Sequence, residues 1–391
     1  MEWLENQFKN EDNAKRYTGG FTGENMKKAR RFHNSLPQYD KTSLHQLTGF
    51  SEETGLGAVY VKDESSRFGL NAFKGLGASY AMAGYFSRKL DMADSTFNEL
   101  LEAVSEYPAE TFATATDGNH GKGVAWGAEI FNQNCKVFLP KGAASTRVTA
   151  VTERGAEAKV TDINYDDTVQ YAADQSSGHG WILLQDTAWE GYEEIPSDIM
   201  LGYTTIVSEI TEQLEPGNLD QLTHVILQAG VGSFAGAVAA AIYNITDGDP
   251  PKIIVVEPSE ANCMFHSAES ELGDPLRIYG DMNTMMAGLS CGEPSPIAWN
   301  ILKSTADYFI SCDDEISAKG MRMLGRPAKD DAKITSGASG ALPAGFLYEV
   351  MTNESHADLK ANLNLGSDSK VLVINTEGNT DPDNYKKIMN G

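Results

Sequence analysis

Short runs rich in β-branched and aromatic residues recur along the chain, each followed by a longer stretch whose apolar positions return every three or four residues. The short runs predict strands at 58–62, 112–116, 136–140, 158–162, 181–185, 224–228, 252–257, 308–311 and 371–375. Helical periodicity occupies 73–89, 119–131, 145–154 and 234–243, among others. Strands that alternate with helices need crossover connections, so the expected fold is α/β with open, mostly parallel sheets. There are more strands than one ordinary sheet holds, which predicts two sheets and two domains. No repeat of 20–50 residues and no low-complexity tract interrupts the pattern.

Open α/β sheets bind ligands beyond the carboxyl ends of their strands, where glycine-rich turns meet helix starts. Four segments have that character. In 66–79, SRFGLNAFKGLGAS, Lys74 follows an extended stretch and stands between Phe73 and Gly75. Most helix lysines are simply solvated, but one flanked by an aromatic ring and small residues can be desolvated beside a ligand and act as a nucleophile or Schiff-base former. In 113–123, ATATDGNHGKG, a strand breaks into a loop that opens a helix, whose free N–H groups attract anions. There Asn119 can be a helix cap and His120 a core histidine. Asp117 is out of place in an anion loop unless the ligand also carries a cation.

The third segment, 225–241, runs from a buried strand into Gly230, Val231, Gly232, Ser233, Phe234, Ala235 and Gly236 and continues as a helix of small residues. No bulky side chain screens the amides, which makes a phosphate cradle. No GK[ST] follows, so it is not a P-loop, and its third glycine comes one place late for GxGxxG. The strand after it ends in Glu257, as a dinucleotide site would require. The fourth segment, VLVINTEGNTD, is an apolar strand that ends in Thr376, Glu377, Gly378 and Asn379. It reads either as a plain turn or as a hydroxyl aimed into the same crevice.

Composition narrows the function without locating it. The 391 residues are 41% hydrophobic and 9% aromatic, which excludes disorder for the whole chain. A net charge of −24 repels phosphate backbones and anionic lipid, so neither nucleic acid nor a membrane is an expected partner. Backbone amides can still hold an anionic cofactor. The start MEWLENQFK lacks a basic stretch followed by an apolar one, so no signal peptide is expected. The apolar run 225–243 contains Gln228 and a cluster of glycines and fits strand, turn and helix better than a membrane span. Cys135, Cys263, Cys291 and Cys312 have no zinc-like spacing, so a reduced cytoplasmic protein without structural metal is expected, with pairing of Cys263 and Cys291 left open.

Taken in order, the four segments resemble those of fold-type II pyridoxal-phosphate enzymes, the tryptophan-synthase-β and threonine-dehydratase group. The strings SRFGLNAFK, ATDGNHGKGVAW, QDTAWEGYEEIP and MMAGLSCGEPSP are similar to those of its diaminopropionate ammonia-lyase branch, and the likeness spans roughly residues 25 to 385. The resemblance implies pyridoxal phosphate as cofactor, with Lys74 as the Schiff-base lysine, Phe73 beside the ring and Asn119 at its O3′ oxygen. It implies the loop 230–236 at the phosphate and Thr376 as a neutral partner of the pyridine nitrogen. Dehydratases of the group usually carry serine where this chain has Asp117. The ammonia-lyase branch carries aspartate there and at the position of Asp186, and the extra β-ammonium of its substrate supplies the cation that Asp117 asks for. Lys74 and Asp117 would then be bases on opposite faces, open to L- and D-substrates, with Asp186 near the leaving amine.

The resemblance also implies a large domain of residues 1–79 and 186–391, a smaller inserted α/β domain of 80–185, the cofactor in the cleft between them, and a homodimer. Three other readings remain at this point: a serine/threonine dehydratase-like lyase, a nicotinamide dehydrogenase built on the Gly230 loop and Glu257, and a cofactor-free binding protein on the same fold.

Overall fold

The computed structural model describes residues 1–116, 118–214, 218–246 and 248–391. Its strands are β1 (Glu2–Glu5), β2 (Ser43–Gln46), β3 (Ala58–Asp63), β4 (Thr111–Ala115), β5 (Asn134–Leu139), β6 (Glu157–Val160), β7 (Ile182–Leu183), β8 (His224–Gln228), β9 (Lys252–Pro258), β10 (Tyr308–Cys312) and β11 (Lys370–Asn375). They form a seven-stranded sheet in the order β1-β10-β9-β8-β11-β3-β2 and a four-stranded sheet in the order β6-β5-β4-β7. The smaller sheet comes entirely from residues 111–183.

All pairings are parallel except at the two edges of the large sheet, where β1 runs antiparallel to β10 and β2 antiparallel to β3. Helices cover both faces of the central strands, so β8 and β10 are buried at every position and read as continuous apolar runs. The edge strands EWLE and SLHQ are half-exposed and polar. Polar edges resist pairing with other chains, and for the same reason they leave no apolar signature in the sequence.

The connection from β3 to Lys74 is held from below by charges that have no access to water. Lys62 Nζ lies 2.6 Å from Glu209 Oε2, and Arg67 bridges Glu64 at 2.8 Å and Glu209 at 2.8 Å. Lys62, Glu64 and Glu209 are fully buried and Arg67 nearly so. Each cation also donates to backbone, Lys62 to the Thr42 carbonyl and Arg67 to that of Asp40. Two cations and two carboxylates balance, which makes their burial tolerable. They brace a strained turn, in which Phe68 at φ 52° and Asn71 at φ 55° occupy the left-handed region.

His33 fixes the next step of the chain. Its Nε2 is 3.0 Å from the carbonyl of Leu76, in the first turn of helix Gly75–Leu90, and its Nδ1 is 2.7 Å from the Thr205 hydroxyl. A carbonyl only accepts, so Nε2 carries the hydrogen and Nδ1 accepts from Thr205. Burial holds the ring neutral, with its pKa lowered to about 3. Among the described residues, no helix is long and apolar enough to cross a membrane.

Two consequences are measurable by urea unfolding. Glu209→Ala leaves buried cations without their partner and is expected to destabilise the protein by about 3–5 kcal/mol, seen as a lower midpoint. Unfolded His33 takes up a proton below its ordinary value of 6.5, whereas the buried ring does so only near 3. The stability it confers is therefore complete above pH 6.5 and lost as the pH falls through that window, with a slope of about 1.4 kcal/mol per pH unit. The non-titrating His33→Gln variant should show a shallower slope over the same window.

Candidate active site

The carboxyl ends of adjacent strands from both sheets converge on one cleft. From the large sheet, β3 leads to Phe73 and Lys74, β8 to Ala229–Phe234, and β11 to Thr376 and Glu377. From the small sheet, β4 leads to Gly118, Asn119 and His120, and β7 to Asp186. The cleft and its open mouth together hold about 730 Å3 of atom-free space. All four segments singled out in the sequence meet there, as expected at a topological switch point.

Lys74 sits at the N-terminal boundary of helix Gly75–Leu90. The segment before it is fastened to the end of β11: Phe73 donates its backbone N–H to the Thr376 carbonyl at 3.2 Å, and Gly378 donates to the Asn71 carbonyl at 2.9 Å. Helix Asn119–Ile130 passes so close that a Cβ on Gly123 would lie 2.9 Å from the Lys74 carbonyl carbon. The lysine side chain retains 17% of its exposure and points to Asp186, with Nζ 2.6 Å from Oδ2. Burial opposes the charge on Asp186, but positive charge on its neighbours, His120 when protonated and the Lys74 ammonium, holds the carboxyl down at about 2. Burial likewise opposes the Lys74 charge, and Asp186 more than offsets it, raising the amine above the ordinary lysine range.

Phe73 packs its ring between Tyr203 and Phe234, with centroids at 4.7 and 4.8 Å. Asn119 is the first residue of its helix, with Gly118 in the cap position, and its Nδ2 donates to Glu377 Oε2 at 2.5 Å. Asp117 lies outside the described residues; its neighbours Thr116 and Gly118 both line the cleft. Thr376 Oγ1 accepts a hydrogen bond from Gln228 Nε2 at 2.9 Å, and the second N–H of that amide goes to the Ile374 carbonyl at 3.1 Å. The carbonyl fixes the amide's orientation, so the Thr376 hydroxyl is an acceptor there and keeps its own proton to donate.

At the end of β8, Gly232 turns the chain at φ 90° into helix Ser233–Ile245, which has no side-chain cap. The amides of its first turn therefore lack intrahelical acceptors. Gly230, Val231, Gly232, Ser233 and Phe234 all border the cleft. Gly236 does not: its N–H is bonded to the Gly232 carbonyl at 2.8 Å, and its missing side chain admits Ala298 of helix Pro296–Thr305. The Ser233 hydroxyl donates to the Asp186 carbonyl and ties the glycine loop to the segment after β7.

Glu257, which would grip a ribose in a dinucleotide site, is fully buried and accepts the N–H groups of Met264 and Phe265 at 2.9 and 2.8 Å. Burial raises its pKa to about 8. It forms no part of the cleft, which removes the main support for a nicotinamide site. All four cysteines are buried, and Cys263 is in no disulfide, so the bridge from Cys263 to Cys291 does not form.

These residues fit pyridoxal phosphate. A helix start with uncapped amides suits the phosphate, a desolvated lysine faces the same space, and a neutral hydroxyl with a free proton suits a pyridine nitrogen. Gln228, Glu377 and Ser339 also belong to the site. Ser339 donates its backbone N–H to Glu377 Oε1 at 3.0 Å, which holds the carboxylate on Asn119. A polar residue ending the apolar strand β8 was a visible signal for Gln228, whereas the sequence around Ser339 carries none.

Comparison with known proteins agrees with this geometry. Residues 36–377 match the pyridoxal-phosphate dependent enzyme family. The chain is 48% identical to the diaminopropionate ammonia-lyase of Salmonella typhimurium over 366 residues, covering 92% of this chain and 90% of the relative. It is 45% identical to that of Escherichia coli K12 over 371 residues, covering 94% and 92%. The crystal structure of the Escherichia coli holo diaminopropionate ammonia lyase superposes with a TM-score of 0.92 at 41% identity, covering 99% of this chain and 96% of that one. A tomato threonine deaminase, at 18% identity and a TM-score of 0.73 over 100% and 96% of the two chains, shares the fold. The chain belongs to the pyridoxal-phosphate dependent enzymes and has their fold-type II architecture.

Proposed function

We propose that the chain is a diaminopropionate ammonia-lyase, which converts 2,3-diaminopropionate and water to pyruvate and two molecules of ammonia. The observation that carries this reading is the buried Asp186 carboxylate 2.6 Å from Lys74 in the cleft. A β-hydroxy amino acid offers such an anion only a neutral hydrogen bond, whereas a β-ammonium offers it a charge-assisted one. The whole-chain identity to diaminopropionate ammonia-lyases supports it, as do solved complexes of the Escherichia coli enzyme with D-serine and with an aminoacrylate-PLP azomethine reaction intermediate. A serine/threonine dehydratase-like activity is the second reading, and Asp186 argues against it.

When bound, pyridoxal phosphate supplies an electron sink for the pair left at the substrate's Cα. We assign Lys74 Nζ as its attachment point, with Phe73 as the wall beside the ring and Asn119 at the ring oxygen. The amides from Val231 to Phe234 would hold the phosphate. Thr376 would donate to the pyridine nitrogen; a neutral hydroxyl there leaves the ring less strongly protonated than a carboxylate would and favours prompt loss of the β-group. Lys74 as a free amine would take the Cα proton from one face and Asp117 from the other, which would admit both isomers. Asp186 would orient the β-ammonium. That group leaves as ammonia without an added proton, because the carbon–nitrogen pair neutralises its charge. The released aminoacrylate hydrolyses in water to pyruvate and the second ammonia.

We further propose that the unit formed by 1–79 and 186–391 and the inserted unit 80–185 meet at this cleft, and that the enzyme works as a cytoplasmic homodimer in amino-acid catabolism.

Pyruvate release from diaminopropionate should greatly exceed that from serine. Lys74→Ala should abolish both turnover and the visible absorbance of the cofactor-loaded protein; an undiminished band would remove Lys74 from its role. Asp117→Asn should impair turnover of the D-isomer by roughly 100-fold or more, the usual scale for loss of a positioned base, and that of the L-isomer far less. Equal losses, measured as kcat/KM for each isomer, would make Asp117 a binding group only.

A further inference from the structure

His120 lies in the first turn of helix Asn119–Ile130 with 5% of its surface exposed. Its Nε2 is 2.9 Å from the Leu184 carbonyl oxygen. That oxygen only accepts, so Nε2 carries the hydrogen and, in the neutral ring, Nδ1 is a bare lone pair. Nδ1 is buried and has no hydrogen-bond partner. It stands 3.7 Å from Asp186 Oδ2, the same oxygen that takes Lys74 Nζ at 2.6 Å. Leu184 and Asp186 belong to one short segment after β7, so the stretch of backbone that orients the ring also presents the carboxylate to it. Gln185 Nε2, 3.4 Å from Oδ1, occupies the other carboxylate oxygen. Two acceptors facing each other in a water-poor site are unfavourable until a proton lies between them.

We propose that Lys74, Asp186 and His120 form a proton relay, in which a single proton resides on Lys74 or on His120 and passes between them through the Asp186 carboxylate. In the first arrangement Lys74 is an ammonium paired with the carboxylate, and His120 is neutral. In the second, an N–H bond at Lys74 has broken, Oδ2 has carried the proton across, and an N–H bond has formed at Nδ1. A neutral amine, a carboxylate and an imidazolium remain. Both arrangements contain the same protons and the same net charge, and in both the carboxylate stays paired.

The relay answers a difficulty in the site. A lysine held as an ammonium is neither nucleophile nor base, yet the function proposed above uses Lys74 as both. His120 acts through Asp186 and provides a place to hold the proton. Burial lowers the affinity of His120 for that proton, while the adjacent carboxylate raises it. Among the described residues, the charged groups that face the ring from other elements are Asp186 and Lys74; Lys122, on its own helix, turns away to the Leu70 carbonyl at 2.8 Å.

This inference rests on the reading of Lys74 as the cofactor's attachment point, but its first test does not. Nitrogen NMR of cofactor-free protein labelled in its 7 histidines reports the protonation of each ring nitrogen. His120→Gln, whose amide can keep the bond to Leu184, identifies the resonance. In the wild type at neutral pH, His120 is expected as the neutral Nε2–H form. In Lys74→Met the proton should move to His120, so that Nδ1 shifts to the position of a protonated imidazolium nitrogen. Adding Asp186→Asn should return it to neutral. A ring that is neutral in both wild type and Lys74→Met, or already an imidazolium in the wild type, overturns the relay.

A second measurement covers misfolding of Lys74→Met. Uptake of pyridoxal phosphate by the cofactor-free protein, followed as growth of visible absorbance, should be at least about tenfold slower in His120→Gln than in the wild type. Equal rates overturn the proposal. A visible band that survives Lys74→Ala would instead overturn the assignment of Lys74, leaving the NMR result to stand or fall separately.

Discussion

An ammonium and a carboxylate placed 2.6 Å apart, the lysine 17% exposed and the aspartate 4%, depend on each other, and the rest of this fold is arranged so that they meet. Lys74 arrives from the large sheet and Asp186 from the small one. Neither sheet alone contains the pair. The lysine's approach is set by the strained turn above the Lys62–Glu209–Arg67–Glu64 network, and by His33, which pins the helix that begins just after it. The aspartate's approach is set by the short β7 and by the Ser233 hydroxyl on its carbonyl. Errors of an ångström in either path would leave a buried charge uncompensated.

The same arrangement explains how a strongly acidic chain can hold an anionic cofactor. Its excess of carboxylates lies mostly at the surface, whereas the buried Glu64, Glu209 and Asp186 face cations and the buried Glu257 and Glu377 accept N–H groups. The proposed phosphate site relies on backbone amides and a helix dipole, which do not depend on net charge. Glu257 shows the complementary use of a helix start, a buried carboxyl accepting the amides of Met264 and Phe265. One helix N-terminus is left open for a ligand, and the other is closed by the protein itself.

Much of this was legible in the sequence, for identifiable reasons. Strand β8 falls at the residues its apolar run predicts, and the other central strands fall within a few residues, because burial on both faces forces unbroken hydrophobicity. The glycine loop and the Lys74 segment were visible because a close approach of backbone and ligand restricts residue type to small ones. Edge strands β1 and β2 were not visible, since exposure lets them be polar. Strand β7 has two residues where the pattern suggested five, because only Phe112 and Ala113 of β4 lie opposite it. The distinction between Gly232, which turns the chain into the cleft, and Gly236, which admits a neighbouring helix, exists only in three dimensions. So does the pairing of Glu377 with Asn119, 258 positions apart.

The hydrogen bonds from Phe73 to Thr376 and from Gly378 to Asn71 also bear on when the site can come into being. Strand β11, last in the chain, lies between β8 and β3 in the interior of the large sheet. During synthesis the lysine's segment leaves the ribosome early, but the strand that positions it follows only after nearly the whole chain has been made. Until then β3 and β8 have a gap between them, and the lysine has no fixed wall to work against. A ribosome stalled just before β11 therefore carries a chain with every upstream motif and no assembled pocket, so the pocket forms only once β11 has been made.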